Sequence, residues 1–134
     1  VTRRALDVER AAVGPPQVFR SFVSKPSGWQ SGQPGYGGRP DGAAVDVQGN
    51  YYCALFEGGR ILKIAPDGTV LAEIPVPAQC PTMPCFGGPG LKTLFVTTAR
   101  DKRPEAELQR WPQSGCVFAM PVEVPGLPVQ FFQE

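Results

Sequence analysis

Asp41 is the side chain in this sequence best placed to do chemistry. It stands between Pro40 and Gly42, at the mouth of the apolar run Ala43-Ala44-Val45. Proline fixes the backbone on one side and glycine frees it on the other, so the chain sets the direction of the carboxylate. Taken alone, Pro-Asp-Gly reads as a turn, because these are the commonest turn residues. The 134 residues contain no histidine, which excludes Ser-His and Cys-His pairs and imidazole metal ligands. Chemistry here has to run on carboxylates, lysine or an oxygen-bound metal. The four cysteines, Cys53, Cys80, Cys85 and Cys116, form no pair of C-x-x-C spacings, which argues against a zinc site. They lie in or beside apolar stretches and read as small core residues, with no disulfide expected between Cys80 and Cys85.

The remaining acidic residues have plainer readings. Asp46 follows an apolar run and reads as a turn cap, and Asp67 lies in the turn Pro66-Asp67-Gly68. Glu57 precedes Gly58-Gly59 and is expected to be solvent-exposed. The segment from Arg100 to Arg110 alternates in sign and reads as a solvated insertion that can carry one helical turn.

Composition narrows the classes. With 42% hydrophobic residues, 19% charged residues and a net charge of +1, the chain has neither a nucleic-acid binder's basic excess nor the polarity of disorder. Sixteen glycines and sixteen prolines without a collagen-like period, set between apolar runs, suit many short strands joined by turns. No apolar run approaches the roughly 20 residues that span a bilayer, and Val1-Thr2-Arg3-Arg4 leads into no apolar signal core. A soluble, cytoplasmic chain is expected.

The elements that must position Asp41 follow from the turns. Two strands are expected over Thr2 to Val8 and Gln17 to Val23. A long loop rich in Gly, Ser and Pro then runs over residues 24–39, with Trp29 and Tyr36 as its large side chains. Four strands are expected next, Gly42 to Asp46, Tyr51 to Phe56, Arg60 to Ala65 and Val70 to Val76, separated by glycine-containing turns. The pattern then restarts. Pro40-Asp41-Gly42 is answered by Pro81-Thr82-Met83, a shift of 81 − 40 = 41 positions. The second strand is answered within Leu91 to Ala99, and the third, after an insertion, within Ser114 to Met120. A four-stranded unit recurring every 40 to 45 residues or so has the period of a β-propeller blade.

The fold class is therefore all-β, with about two and a half blades of a β-propeller in this chain. Residues 1–23 are the end of one blade, 24–39 a loop, 40–77 a complete blade, and 81–134 a last blade with an insertion at 100–113. Val129-Gln130-Phe131-Phe132 offers a remaining strand. A propeller needs at least four blades, so further blades or a second chain are needed to close the ring.

Arg39-Pro40-Asp41-Gly42-Ala43-Ala44-Val45-Asp46, Gly49-Asn50-Tyr51, Gly58-Gly59-Arg60-Ile61, Pro66-Asp67-Gly68, Phe86-Gly87-Gly88, Leu94 to Arg100 and Ser114-Gly115 are similar, in order and spacing, to the C-terminal portion of the regucalcin/gluconolactonase (senescence marker protein) family. Tyr52-Cys53 departs from the aromatic pair usual in that family. The resemblance implies a six-bladed propeller that opens sugar lactones with one divalent cation, calcium or zinc, in the central channel. It also implies that Asp41 is both a metal ligand and the base acting on the attacking water. The other ligands, a glutamate and one or two asparagines, would come from blades upstream of Val1. Asn50, the one asparagine here, belongs to a hairpin turn away from the channel end. Thr82, which answers Asp41, and Met83 beside it are expected to line the channel without binding the ion.

Two readings stand beside that of a lactonase fragment, inactive on its own. One is a non-catalytic binding or scaffold propeller, and the other is a half-propeller that self-assembles through its open sheet edges.

Overall fold

The computed structural model describes residues 1–129. Its centre is a four-stranded antiparallel meander, β5 (Arg39–Val45), β6 (Tyr51–Phe56), β7 (Arg60–Ile64) and β8 (Val70–Pro75), hydrogen-bonded in sequence order. Gly49, Gly59 and Gly68 supply the positive φ that the three connecting turns require. Asp46, nearly fully buried, organises the first turn, as expected of a cap. Its Oδ1 accepts the backbone N–H groups of Gln48 and Asn50 at 2.9 Å each, and its Oδ2 accepts from the Asn50 side chain at 2.8 Å.

Among the described residues the answering blade has three strands, β9 (Pro81–Gly87), β10 (Thr93–Thr98) and β11 (Val117–Pro121), with the insertion between β10 and β11. The insertion carries one short helix, α1 (Glu105–Arg110). Residues 122–127 then return alongside the end of β5, where Leu127 N–H donates to Val45 O at 2.9 Å and Val47 N–H to Pro125 O at 3.0 Å. Val129 carries no strand, and Gln130, Phe131 and Phe132 of the expected remainder lie outside the described residues.

Alternation along the strands builds two cores. Tyr52, Ala54 and Ile61 on one face of the central blade pack with Leu94 and Val96 of the next blade. Cys53, Leu55, Leu62 and Ile64 on the opposite face receive Phe19 and Phe22. Each fully buried large aliphatic side chain contributes roughly 1.5–3 kcal/mol.

The N-terminal pair differs in register from the expectation. A bent hairpin pairs β1 (Thr2–Arg3) with β4 (Gln17–Val18) and β2 (Leu6–Asp7) with β3 (Ala12–Val13), so its second strand begins at Ala12 instead of Gln17. The reason is local. Asp7 Oδ1 accepts Arg10 N–H at 3.0 Å and closes the turn early, while Pro15 and Pro16, which lack N–H donors, interrupt the ladder. Phe19 to Val23 forms no strand and sends its aromatics into the second core instead.

The cysteines divide. Cys53 and Cys80 are buried as expected, but Cys85 and Cys116 are exposed because they fall on the outward positions of β9 and of the approach to β11; all four are free thiols. No helix among the described residues is long and apolar enough to cross a membrane.

Candidate functional site

Asp41 sits on a β-bulge. Pro40 pairs with Leu55 and Ala43 with Cys53, so Asp41 and Gly42 together oppose Ala54 alone. A bulge bends its strand and re-aims a side chain, which suits a functional carboxylate at the head of a strand. The same irregularity recurs in β9. Val96 pairs with Pro84 and Thr98 with Pro81, so Thr82 and Met83 together oppose Thr97. The repeat that pairs Asp41 with Thr82 thus extends to the backbone.

The two bulges meet. A Cβ on Gly42 would lie 2.6 Å from the Thr82 carbonyl and 2.5 Å from Met83 Sδ, so only glycine permits this approach of β5 to β9. In the β9 bulge, Thr97 Oγ1 lies 2.7 Å from Thr82 Oγ1 and accepts Met83 N–H at 3.1 Å. Ala54 holds the equivalent position opposite Asp41, and it has no hydroxyl to make such a tie. Asp41, Thr82 and half-exposed Met83 therefore lie together at one end of the seam between the blades. Asn50 is buried at the other end of β5, where it braces Asp46.

Asp41 is a hard oxygen donor of the kind calcium and magnesium prefer and zinc accepts. Among the described residues, no three His, Cys, Asp or Glu side chains are grouped to hold an ion. Asp41 has the donor chemistry for one ligand to such an ion, and the described residues do not complete a set around it. Beneath Asp41, burial pushes the Cys53 thiol up to about 11, so it stays a neutral neighbour.

Two charged features were not legible as a site in the sequence. Glu57 is only 5% exposed, contrary to its expected exposure, and has a left-handed φ of 64°. Three cations explain its burial. Lys25 Nζ donates to Oε1 at 2.8 Å, Arg39 Nη1 to Oε2 at 3.3 Å, and Arg103 Nη2 to Oε1 at 3.3 Å. The insertion is likewise only partly solvated. Arg103 also forks onto Glu107, with Nε to Oε1 at 2.8 Å and Nη2 to Oε2 at 2.6 Å, and Glu107 is buried. Burial pushes the Glu107 carboxyl up, but hydrogen bonds from Arg103 and Ser31 outweigh it and hold the group below its usual range. The i,i+4 spacing of Arg103 and Glu107 is the one sequence signal that points to part of this hub, and it does not reach Glu57.

The hub gathers three segments around the start of β5, which supplies Arg39. Loop 24–38 brings Lys25, the turn between β6 and β7 brings Glu57, and the insertion brings Arg103 and Glu107. The loop's aromatics pack on each other, with Trp29 and Tyr36 edge to face at 5.0 Å. A cavity of about 710 Å³ opens among these segments, lined in part by Lys25, Trp29, Glu57, Arg103 and Arg110. It lies at the same end of the blades as Asp41. Arg39 pairs with Phe56 and Pro81 with Thr98, which puts the starts of β5 and β9 beside the Glu57 turn and the insertion, respectively.

Comparison with known proteins agrees with this architecture. Residues 1–100 match the family described as the SMP-30/Gluconolactonase/LRE-like region. The chain is 56% identical over 92 residues to a 6-deoxy-6-sulfogluconolactonase of Pseudomonas putida, covering 69% of this chain and 32% of that protein. It is 37% identical over 82 residues to regucalcin of Xenopus laevis, covering 60% and 27%. Among solved structures, the regucalcin of Agrobacterium tumefaciens, described as a calcium-binding protein, superimposes with a TM-score of 0.76 at 28% identity, covering 94% of this chain and 39% of that one. The chain spans about a third of the length of the curated relatives it matches.

Proposed function

The chain belongs to the SMP-30/gluconolactonase/LRE-like family, and from that premise we propose that it is part of a divalent-metal-dependent sugar-lactone hydrolase in which Asp41 serves as ligand and base. The observation that carries the reading is the bulge at Asp41, which sets a carboxylate at the head of the strand where two blades meet. In the reaction, water adds to the lactone carbonyl, the ring C–O bond breaks, and a hydroxy acid leaves. Asp41 accepts the proton of the attacking water, and the proton passes to the departing ring oxygen. A bound calcium or zinc ion supplies Lewis-acid polarisation of that carbonyl. Thr82 and Met83 form the adjoining channel wall.

The rest of the ring completes the site. The open faces of this piece carry exposed apolar side chains, Leu6, Val13 and Val18 on the hairpin and Val117 on the last blade. Further blades or a second chain cover these faces and provide the remaining metal ligands, so the 134 residues alone are inactive. A cytoplasmic setting is part of the same proposal.

The test is hydrolysis of a panel of sugar lactones by the full-length polypeptide with added calcium or zinc. Asp41→Asn is expected to lower kcat at least a hundredfold and to weaken metal binding in calorimetry. Saturable metal binding and hydrolysis that both survive Asp41→Asn would remove Asp41 from the site. No metal binding and no hydrolysis in the parent would favour a non-catalytic propeller.

A further inference from the structure

We infer that the protein takes a second class of substrate beside sugar lactones, lactones carrying a short apolar arm, and that Leu127 is the floor on which the arm rests. This builds on the lactonase reading of Asp41 and adds a substrate class to it. The course of the C-terminal segment is the first argument. β6 occupies one edge of β5, so the edge that meets residues 125–127 is the other one. There Leu127 N–H donates to Val45 O at 2.9 Å and Val47 N–H to Pro125 O at 3.0 Å. Blades are arranged around a central channel, and the free edge of a blade's first strand faces it. The segment therefore lies on the channel side of β5, at the end away from Asp41. It also crosses the end of β9, where a Cβ on Gly126 would collide with the Phe86 side chain and Gly126 N–H donates to Leu91 O at 2.9 Å.

The space above the segment is the second argument. A cavity of about 330 Å³ lies between residues 43–45 of β5 and 83–86 of β9, and Leu127 and Val129 complete its lining. None of these side chains carries a charge, and Ala43 and Ala44 are small, so an apolar group fills the space without stripping water from a polar partner. Met83 joins the cavity to Asp41. It lines the cavity, and its sulfur rests against Gly42, the residue that follows Asp41. At about 3.3 Å per residue, Ala43 to Val45 lie about 7–13 Å along the strand from Asp41. A lactone with its carbonyl at Asp41 thus directs a ring substituent past Met83 towards Leu127, whose side chain is 55% exposed and stands in open space. The reaction is unchanged: water adds to the carbonyl, the ring C–O bond breaks, and a hydroxy acid leaves.

Protection of Cys85 tests the inference without turnover, because Cys85 is exposed and lines the cavity. The full-length polypeptide, with calcium added, is alkylated with iodoacetamide, and peptide mass mapping follows Cys85. Cys116, exposed and outside the cavity lining, is the internal control. The probes are the product acids 5-hydroxydecanoate and gluconate, with 1-pentanol as the arm alone. We expect 5-hydroxydecanoate to slow Cys85 at least fivefold, gluconate to slow it less than twofold, and Cys116 to keep its rate. Leu127→Trp fills the floor and should bring protection by 5-hydroxydecanoate under twofold. Leu127→Ala deepens it and should tighten 5-hydroxydodecanoate at least threefold, read from the same protection. Residue 127 bonds β5 through its backbone, so both variants keep the segment in place. Equal protection by the two acids, protection by neither, or equal slowing of Cys116 overturns the inference. Protection that survives Leu127→Trp, or no gain in Leu127→Ala, overturns Leu127 as the floor. If 1-pentanol protects as well as 5-hydroxydecanoate, the cavity takes any apolar chain and the inference also falls. Failure of the lactonase reading looks different: the protection and its dependence on residue 127 persist, but neither gluconolactone nor δ-decalactone is opened.

Discussion

Gly42 rests directly against Met83, and this contact holds the bulge that carries Asp41 to the bulge that carries Thr82. A Cβ at position 42 would stand 2.5 Å from Met83 Sδ and 2.6 Å from the Thr82 carbonyl oxygen. The sulfur is the end of a flexible side chain and can move, but the carbonyl is backbone and cannot. Gly42→Ala is therefore expected to destabilise the protein by about 1–3 kcal/mol. Adding Met83→Ala should recover only part of that loss. Urea-unfolding midpoints of the two variants check this, and full recovery in the double variant would show that the carbonyl contact is unimportant.

Glu57 combines two costs that separate variants can divide. Its carboxylate answers Lys25, Arg39 and Arg103, while its φ of 64° is unfavourable for any residue with a Cβ. Lys25 and Arg39 are half-exposed and relax into water when the carboxylate is lost, and Arg103 keeps Glu107. Glu57→Ala should therefore cost about 1–3 kcal/mol, below the usual penalty for breaking a fully buried pair. Glu57→Gly should be about 1 kcal/mol more stable than Glu57→Ala, because glycine accepts the left-handed backbone. Thermal unfolding of the two variants decides this, and an equal Tm would mean that the backbone strain is absent.

The interface between the blades offers a simpler test. Leu94 is fully buried against residues of the neighbouring blade. Leu94→Ala should cost about 2–5 kcal/mol, because the transfer loss and the cavity add. A loss below about 1 kcal/mol in denaturant unfolding would show that the two blades do not share this core.

The blade strands were legible because glycine-bearing turns bracket short apolar runs, and the shift of 41 residues between Pro40 and Pro81 gave the repeat. The same pattern puts Asp41 just ahead of a strand running from Gly42 to Asp46, whereas β5 runs from Arg39 to Val45 and takes Asp41 inside it. The bulge there does not follow from the pattern, since register is decided between strands and leaves no mark in one of them. Glu57 departs from its expected exposure for a similar reason. Its neighbours Gly58 and Gly59 signal a turn, but the cations that permit its burial come from residues 25, 39 and 103, and only the folded chain brings them together. Cys85 and Cys116 lie outside the expected core because an apolar neighbourhood in sequence does not say which face of a strand a side chain occupies.

The thiols should separate cleanly by reactivity. Burial pushes both Cys53 and Cys80 up to about 11, and both lie out of contact with solvent. Thiolate is the reacting form, so these two are protected twice over, while Cys85 and Cys116 are exposed. An aromatic disulfide reagent at pH 8 should titrate two thiols within minutes in the native protein and four in denaturant. Rapid modification of three or four native thiols would contradict the buried placement of Cys53 or Cys80.

Acid should weaken the fold through Asp46 and Glu107. Burial pushes Asp46 up, but hydrogen bonds from the Asn50 side chain and from the Asn50 and Gln48 backbones, together with Lys63, outweigh it and leave the carboxyl below its usual value. Glu107 is held low in the same way, with Arg103 as its main partner. In the unfolded chain these groups titrate at about 3.9 and 4.3. A carboxyl whose folded pKa is depressed contributes stability above its unfolded pKa and loses it as pH falls through the folded value. Stability should therefore be level with respect to these groups above about pH 5 and decline below about pH 4, each group adding a slope of up to about 1.4 kcal/mol per pH unit. Asp46→Asn, which keeps the shape and cannot titrate, should lower stability at pH 7 and flatten the acid limb. Urea unfolding at intervals between pH 3 and pH 7 measures both effects, and an acid limb equally steep in Asp46→Asn would show that Asp46 does not contribute to it.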